Sequence, residues 1–355
     1  MRYFKDIAAF VTDKIVFLGI DMHKQHWDLC FICDGEVAEE IRITGDLIML
    51  LFVLQNYSTA RQIRIVYEAG FSGFWVYRQL RDRGYDCMVT APSLIPQNNG
   101  HVKTNKRDAR ALASYFAAGI LKAVYVPPVE VEADRRVVRR RAQLGKQLTR
   151  AKNHIKSFLH LHGLKTPDDI RSNWSKRYVA WLSAITWEQS SDAFTFRNLL
   201  TCYQRHRQDL AEVTQQLRQL SRFRRYAEHF KRLCTARGVG LITAMTFLLE
   251  IFDFGRFRRT EEFASYLGLT PAQYSSGENV RLGHITRQGN AALRAVLVES
   301  AWTVIRHDPH LRAKYERLRR RGTNGKKAIV AVARSLAIRL RRCLLDQADY
   351  VIGVC

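Results

Sequence analysis

Apolar residues run unbroken from Ile15 to Leu18, resume at Ile20 and give out at Asp21. A run that short fits a buried strand, and Gly19 inside it lets a neighbouring backbone come close. Trp27–Cys33 and Val37–Ile43 are further strand candidates, joined by Asp34-Gly35, a strong hairpin turn signal. Leu47–Leu54 has helical character. Arg61–Glu68 reads as a strand burying Ile63, Ile65 and Val66, and it too ends on a carboxylate. Gly70 and Gly73 open a helix through Trp75–Arg83, Gly84 closes it, and Tyr85–Thr90 is the next strand. Asp108, Ala109, Leu112 and Phe116 fall at helical spacing, so Asp108 begins the inward face of a helix. Asn105 lies one turn before it.

From Pro127-Pro128 onward the pattern is helical. Glu130–Leu161 predicts one long basic helix. Asn198–Lys231 predicts its antiparallel return, with Leu210, Val213, Leu217 and Leu220 at a/d-like steps and Trp174, Trp181 and Trp187 in between. Thr235–Leu249 has the look of a helix-hairpin-helix, where Gly238 and Gly240 serve either a phosphate or a tight turn. Tyr274–Gly277 reads as a polar loop. Gly289-Asn290 then precedes a helix carrying Arg294, and Leu311–Arg321 and Lys326–Leu345 close the chain.

Three antiparallel strands followed by helix, strand, helix and strand is the element order of a ribonuclease-H-like (RuvC-like) α/β domain. The expected fold class is therefore α/β plus all-α: that N-terminal domain over 1–127, a basic helical coiled-coil segment over 128–232, and a mostly helical C-terminal domain with helix-hairpin-helix character over 233–355. In such a sheet Asp21 and Glu68 end neighbouring central strands, at the mouth where ligands bind. Carboxylates converging there repel unless a cation neutralises them, which points to Mg²⁺ or Mn²⁺. The plainer readings are a turn cap for Asp21 and an N-cap for Asn105.

Composition adds a partner. The 355 residues carry a formal net charge of +24, which bears on association with a polyanion rather than on fold. Arg135, Arg136, Arg139, Arg140, Lys146, Arg150 and Lys152 on the long helix, and Arg320 and Lys326 near the C-terminus, are the candidate phosphate contacts. A solvated helix face is the bland alternative. Cys30 and Cys33 match a CxxC spacing but sit in an apolar strand without a second pair, so they read as core and edge thiols rather than a zinc knuckle. Unpatterned cysteines, no signal-peptide layout and no run of transmembrane length lead to the expectation of a soluble cytoplasmic protein with no membrane partner. A serine of Tyr274–Gly277 beside Arg281, His284 and Arg287 could attack a phosphodiester, the arginines stabilising developing charge; an ordinary ST-turn is the alternative.

The motifs LGIDMHK around Asp21, VYEAG around Glu68, KTNKRDA around Asp108 and the block GVGLITA…FRRTEEFASYLGLTPAQYSSGENVRLGHITRQGN resemble bacterial insertion-sequence transposases. In that family, the bridge-RNA-guided recombinases, a RuvC-like DEDD domain is paired with a C-terminal serine domain. The resemblance implies that Asp21, Glu68 and Asp108 bind metal and that Ser276 is the nucleophile. Asn105 stands where the pattern has its third acid; its amide oxygen can ligate an ion but brings no charge. Arg237 stands where proline is frequent. Further implications are donor and target DNA as substrates, a structured noncoding bridge RNA, and a homodimer or homotetramer in which the serine of one subunit meets the acidic cluster of another. The competing functions are a metal-dependent junction nuclease without a covalent intermediate and a catalytically inactive nucleic-acid-binding relative.

Overall fold

Helix α1 (Ile7–Val11) leads into an antiparallel meander of β1 (Ile15–Met22), β2 (His26–Cys33) and β3 (Glu36–Thr44). The computed structural model describes residues 7–96, 105–276, 279–285 and 288–353. The chain divides into two compact units, Met1–Val126 and Pro127–Cys355. Asp34 and Gly35 both adopt positive φ, 51° and 80°, as the tight turn between twisted strands requires. After α2 (Leu47–Gln55), capped by Asp46, come β4 (Gln62–Glu68), α3 (Trp75–Asp82), β5 (Asp86–Thr90) and α4 (Asn105–Ala117). The sheet order is β3-β2-β1-β4-β5, with β4 and β5 parallel to β1. This is the mixed sheet of a RuvC-like domain.

Strand parity sorts the residues of this sheet. Val16, Leu18, Ile20, Leu29, Phe31, Ile65 and Tyr67 face one core with Leu50 and Leu54 of α2 and Val76 and Leu80 of α3. The opposite face carries Cys30, Ile32 and Val66 against Ala109, Leu112 and Ala113 of α4. Cys30 and Cys33 are both buried but point to opposite faces, so they cannot share a metal. Burial pushes the Cys30 thiol up to about 12, so it stays protonated. Gly19 fixes the seat of α4: a Cβ there would lie 2.3 Å from the Ala109 carbonyl oxygen and 2.5 Å from the Ala113 nitrogen. Only hydrogen at this position lets the helix backbone rest on β1.

The second unit begins with α5 (Val129–Leu161), then α6 (Lys176–Ala184), α7 (Ser190–Leu220), α8 (Arg224–Cys234), α9 (Leu241–Ile251) and α10 (Thr260–Tyr266). The return helix thus breaks at Ser221 instead of running on to Lys231. Helices α5 and α7 are antiparallel: Val138 packs near Leu217 and Leu220, Arg141 donates to Thr214 at 3.0 Å, and Ile155 packs with Phe196 and Tyr203. The far end of the pair builds its own core, against which Trp174, Trp181 and Trp187 pack. The near end joins a larger core around α9, whose residues from Thr243 to Ile251 are all buried. An apolar helix buried all round is the centre of its domain. Among the described residues no helix is long and apolar enough to cross a membrane.

Helix α11 (Ala291–Val304) packs on α9, α13 (Gly325–Leu345) on α11, and α12 (Pro309–Arg320) on α13. Gly238 serves the turn before α9: its φ is +99°, and a Cβ would strike Thr303 at 2.9 Å. Between α10 and α11 lies a correction. Tyr274–Gly277, read as a loop, falls largely within a hairpin of β6 (Pro271–Ser276) and β7 (Asn279–Ile285). Its two roots meet backbone to backbone. A Cβ on Gly268 (φ +66°) would lie 2.1 Å from the Gln288 carbonyl oxygen, one on Gly289 (φ +94°) 2.4 Å from that of Tyr266, and the Asn290 amide donates to Tyr266 at 3.0 Å.

Candidate functional site

The acidic residues collect on the α4 side of the first sheet. Antiparallel register sets Asp21 opposite Asp28, and parallel register sets Ile20 beside Tyr67, so Asp21 and Glu68 are next in line at the ends of β1 and β4. By parity all three lie on the face that α4 covers. Asp108 is in the first turn of α4, which the Gly19 contact seats on β1. Burial raises the Asp21 carboxyl above its ordinary value; the bond from His23 opposes this, and the negative charges of Asp108 and Asp28 add to the rise. Asp108 is therefore within electrostatic reach of Asp21. Glu68 and Asp108 are exposed, and Asp21 is partly so. Asn105 begins α4, one turn before Asp108; its side chain lies outside the described residues.

The sequence reading passed over three side chains beside this cluster. The Asp28 side chain is 2% exposed, and Arg42 holds it in a fork, Nε to Oδ1 at 2.9 Å and Nη2 to Oδ2 at 3.0 Å. His23 Nε2 donates to Asp21 Oδ2 at 2.9 Å. His26 stacks on His23 with ring centroids 5.0 Å apart. The available signal was an aspartate interrupting the apolar run of β2 with an arginine placed to face it across the hairpin. That pairing emerges only from the register Asp28↔Arg42.

The basic residues divide into two groups. Arg140, Lys146 and Arg150 of α5 are exposed, as is Lys326 in the first turn of α13. Arg136 and Arg320 are also exposed while paired along their helices with Glu132 at 2.7 Å and Glu316 at 3.8 Å, contacts that solvent keeps weak. Arg320 borders a cleft of about 780 Å³ between α12 and α13, lined also by Lys314, Arg317 and Arg321. Lys152 sits 5.2 Å over the Trp174 ring, and burial, with Lys156 and Arg207 nearby, lowers its ammonium pKa.

Arg135 and Arg139 both reach across to α9. Arg139 forks onto Glu250 of α9 at 2.8 and 2.9 Å, and Arg135 Nε donates to the Leu249 carbonyl at 2.7 Å. The Glu250 side chain is 1% exposed, and Asn290 Nδ2 also donates to it at 2.9 Å. An ionised carboxylate at that depth must be matched; Arg135, 11% exposed, is committed internally, whereas Arg139 serves Glu250 from the surface with 56% of its side chain exposed.

Ser276 is the last residue of β6, in register with Asn279, and Arg281 lies in β7 opposite Tyr274. The side chains of Ser276 and Arg281, and the whole of Gly277 and Arg287, lie outside the described residues. The hairpin is anchored at its roots by the Gly268–Gly289 clasp, and Asn290, which caps α11 by accepting from the Ala292 and Leu293 amides, ties it to Glu250.

Comparison with known proteins gives two matching family profiles. The one described as "Transposase IS116/IS110/IS902 family" matches residues 230–316, and one described as "Transposase", of the IS110 DEDD type, matches 18–163. The chain is 35% identical to "Putative transposase y4qE" of Sinorhizobium fredii, over 93% of its own length and 88% of the relative's. It is 27% identical to the transposase for insertion sequence element IS1533 of Leptospira borgpetersenii, over 92% and 95%. It is 25% identical to the transposase for insertion sequence element IS1111A of Coxiella burnetii, over 96% and 92%.

Proposed function

The chain belongs to the IS116/IS110/IS902 family of insertion-sequence transposases, and from that premise we propose that it cuts and rejoins DNA through a phosphoserine on Ser276, guided by a structured noncoding RNA. The observation that carries the catalytic half is the gathering of Asp21, Glu68 and Asp108 at one end of the sheet. Hard oxygen donors that repel one another, with the Asp21 carboxyl held above its ordinary value, fit Mg²⁺ or Mn²⁺. Following the resemblance, Asn105 is the neutral oxygen donor of that set. Such an ion, when bound, supplies positive charge at a scissile phosphate.

The protein's own groups do the rest. His23 orients Asp21, and Arg42 neutralises Asp28, so the cluster is not overloaded with negative charge. The Ser276 hydroxyl oxygen attacks phosphorus, a DNA hydroxyl leaves, and a later attack by a DNA hydroxyl on the phosphoserine restores the serine and joins the strands. The exposed bases of α5 and of the α12–α13 cleft hold nucleic-acid backbone, with helical RNA read by its shape. Following the resemblance, serine and acidic cluster act from different subunits of a dimer or tetramer.

Trapping on a suicide DNA substrate tests this. The wild type is expected to form a protein–DNA adduct, and Ser276→Ala to lose adduct and recombination while keeping fold and nucleic-acid binding. Ser275→Ala is expected to be nearly silent. Asp21→Ala, Glu68→Ala and Asp108→Ala are each expected to abolish strand transfer and leave RNA binding intact. Metal-dependent nicking without an adduct would replace the covalent reading with a junction nuclease.

A further inference from the structure

We propose that His23, His26 and Asp28 form a second cation site, separate from the Asp21–Glu68–Asp108 cluster, that takes a borderline transition-metal ion of the Zn²⁺ class. Each of the three side chains offers one ligand atom, and these atoms lie within 4.8 Å of one another. His26 Nε2 is shielded from solvent, and among the described residues it has no hydrogen-bond partner; it stands 3.8 Å from Asp28 Oδ2. A shielded nitrogen left without a partner is costly, and a metal ion is a partner both imidazoles can share.

The ligands are preorganised. The His23 amide donates to the His26 carbonyl at 3.0 Å, closing the turn between β1 and β2. Gly45 packs against that turn, where a Cβ would lie 3.3 Å from the His23 oxygen and from the His26 nitrogen, and its amide donates to Gln25 at 3.0 Å. The Arg42 fork fixes Asp28 while leaving each carboxylate oxygen a lone pair. Two imidazoles and a carboxylate make a nitrogen-rich set suited to Zn²⁺ and its neighbours, whereas Mg²⁺ prefers the all-oxygen cluster. With Nε2–H donated to Asp21 at 2.9 Å, the lone pair of His23 Nδ1 is the one left for the ion, so the two sites adjoin through His23 without sharing a ligand atom.

The full-length protein, freed of metal by a chelator, is titrated with Co²⁺ as a coloured stand-in and then with Zn²⁺. Expected are one tightly held Co²⁺ with the strong visible bands of a low-coordinate nitrogen–oxygen site, displacement by Zn²⁺, and no displacement by millimolar Mg²⁺. His26→Ala, and independently His23→Ala and the milder His26→Gln, are expected to weaken that binding at least about tenfold, the scale on which metal-site perturbations register. Asp108→Ala is expected to leave it unchanged, although it disables the acidic cluster. Unaltered binding in the histidine variants, with native circular dichroism, would overturn the proposal. So would loss of the Co²⁺ bands in Asp108→Ala, which would assign them to the acidic cluster, or a wild type that holds no Co²⁺.

Discussion

Glu250 and Asp21 are both carboxylates at low exposure, and their surroundings give them opposite pH dependence. Burial pushes Glu250 upward, but the Arg139 fork, Arg135 and Asn290 outweigh it, and its carboxyl ends below the ordinary 4.5. Its contribution to stability is therefore present above about pH 4.5 and lost as pH falls through the lower native value. Asp21 goes the other way: burial leads, His23 does not fully offset it, and its ionisation works against the fold as pH rises from its ordinary 3.8 through the raised value. Glu250→Ala removes the anion from two arginines and unties Asn290. The expected cost at pH 7 is about 3 kcal/mol, the low end for breaking a buried pair because Arg139 can turn partly to water. Urea unfolding across pH checks it: the gap to wild type should narrow below pH 4.5, and a gap independent of pH would remove Glu250 ionisation from the account. None of this was legible in the chain, because the arginines at 135 and 139 and the one at 140 are the same letter. Only Glu250, 111 residues after Arg139, decides which of them is drawn to α9.

Among the elements, the seat of α4 on β1 is the contact on which the acidic site depends. Gly19→Val places methyl groups where the Ala109 oxygen already stands. It is expected to cost about 1–3 kcal/mol by overpacking and, by displacing the first turn of α4, to abolish strand transfer without touching an ionisable group. Thermal melts beside strand-transfer assays check this, and a folded, active Gly19→Val would detach Asp108 from the site. The glycine was readable as a close approach because it interrupts an otherwise apolar strand. The meander was readable because its short apolar runs and the Asp34-Gly35 turn agree. The hairpin at β6 and β7 was not: Pro271–Ser276 has turn-forming composition and no alternation, and its pairing follows from the glycine clasp at its roots. The end of α7 at Ser221 was hidden for a similar reason, since the residues around it are all acceptable in a helix. His26 escaped notice because a histidine at the start of a strand is ordinary until its unpaired nitrogen is seen.

For the molecule as a whole, the +24 charge translates into salt sensitivity only through the groups that reach solvent. Arg140, Lys146, Arg150, Arg320 and Lys326 are exposed; if each neutralises one duplex phosphate, log affinity should fall with a slope of about −4.5 against log salt. Arg140→Ala should flatten that slope by about 0.9, whereas Arg135→Ala, which removes a side chain only 11% exposed, should leave it unchanged and lower stability instead. Filter binding across a salt series reads both, and a flat titration would sink the polyanion partner altogether. The same helix sets a limit on drift. At 1.5 Å per residue the 33 residues of α5 extend about 50 Å, roughly the length of 15 base pairs. One inserted residue would turn everything beyond it by about 100°, swinging Ala151 and Ile155 out of their packing while bringing lysines toward it. The α5–α7 pair thus behaves like a ruler with coarse divisions: matched insertions of whole heptads in both helices are expected to preserve its facing residues, and a single inserted residue in one of them is not.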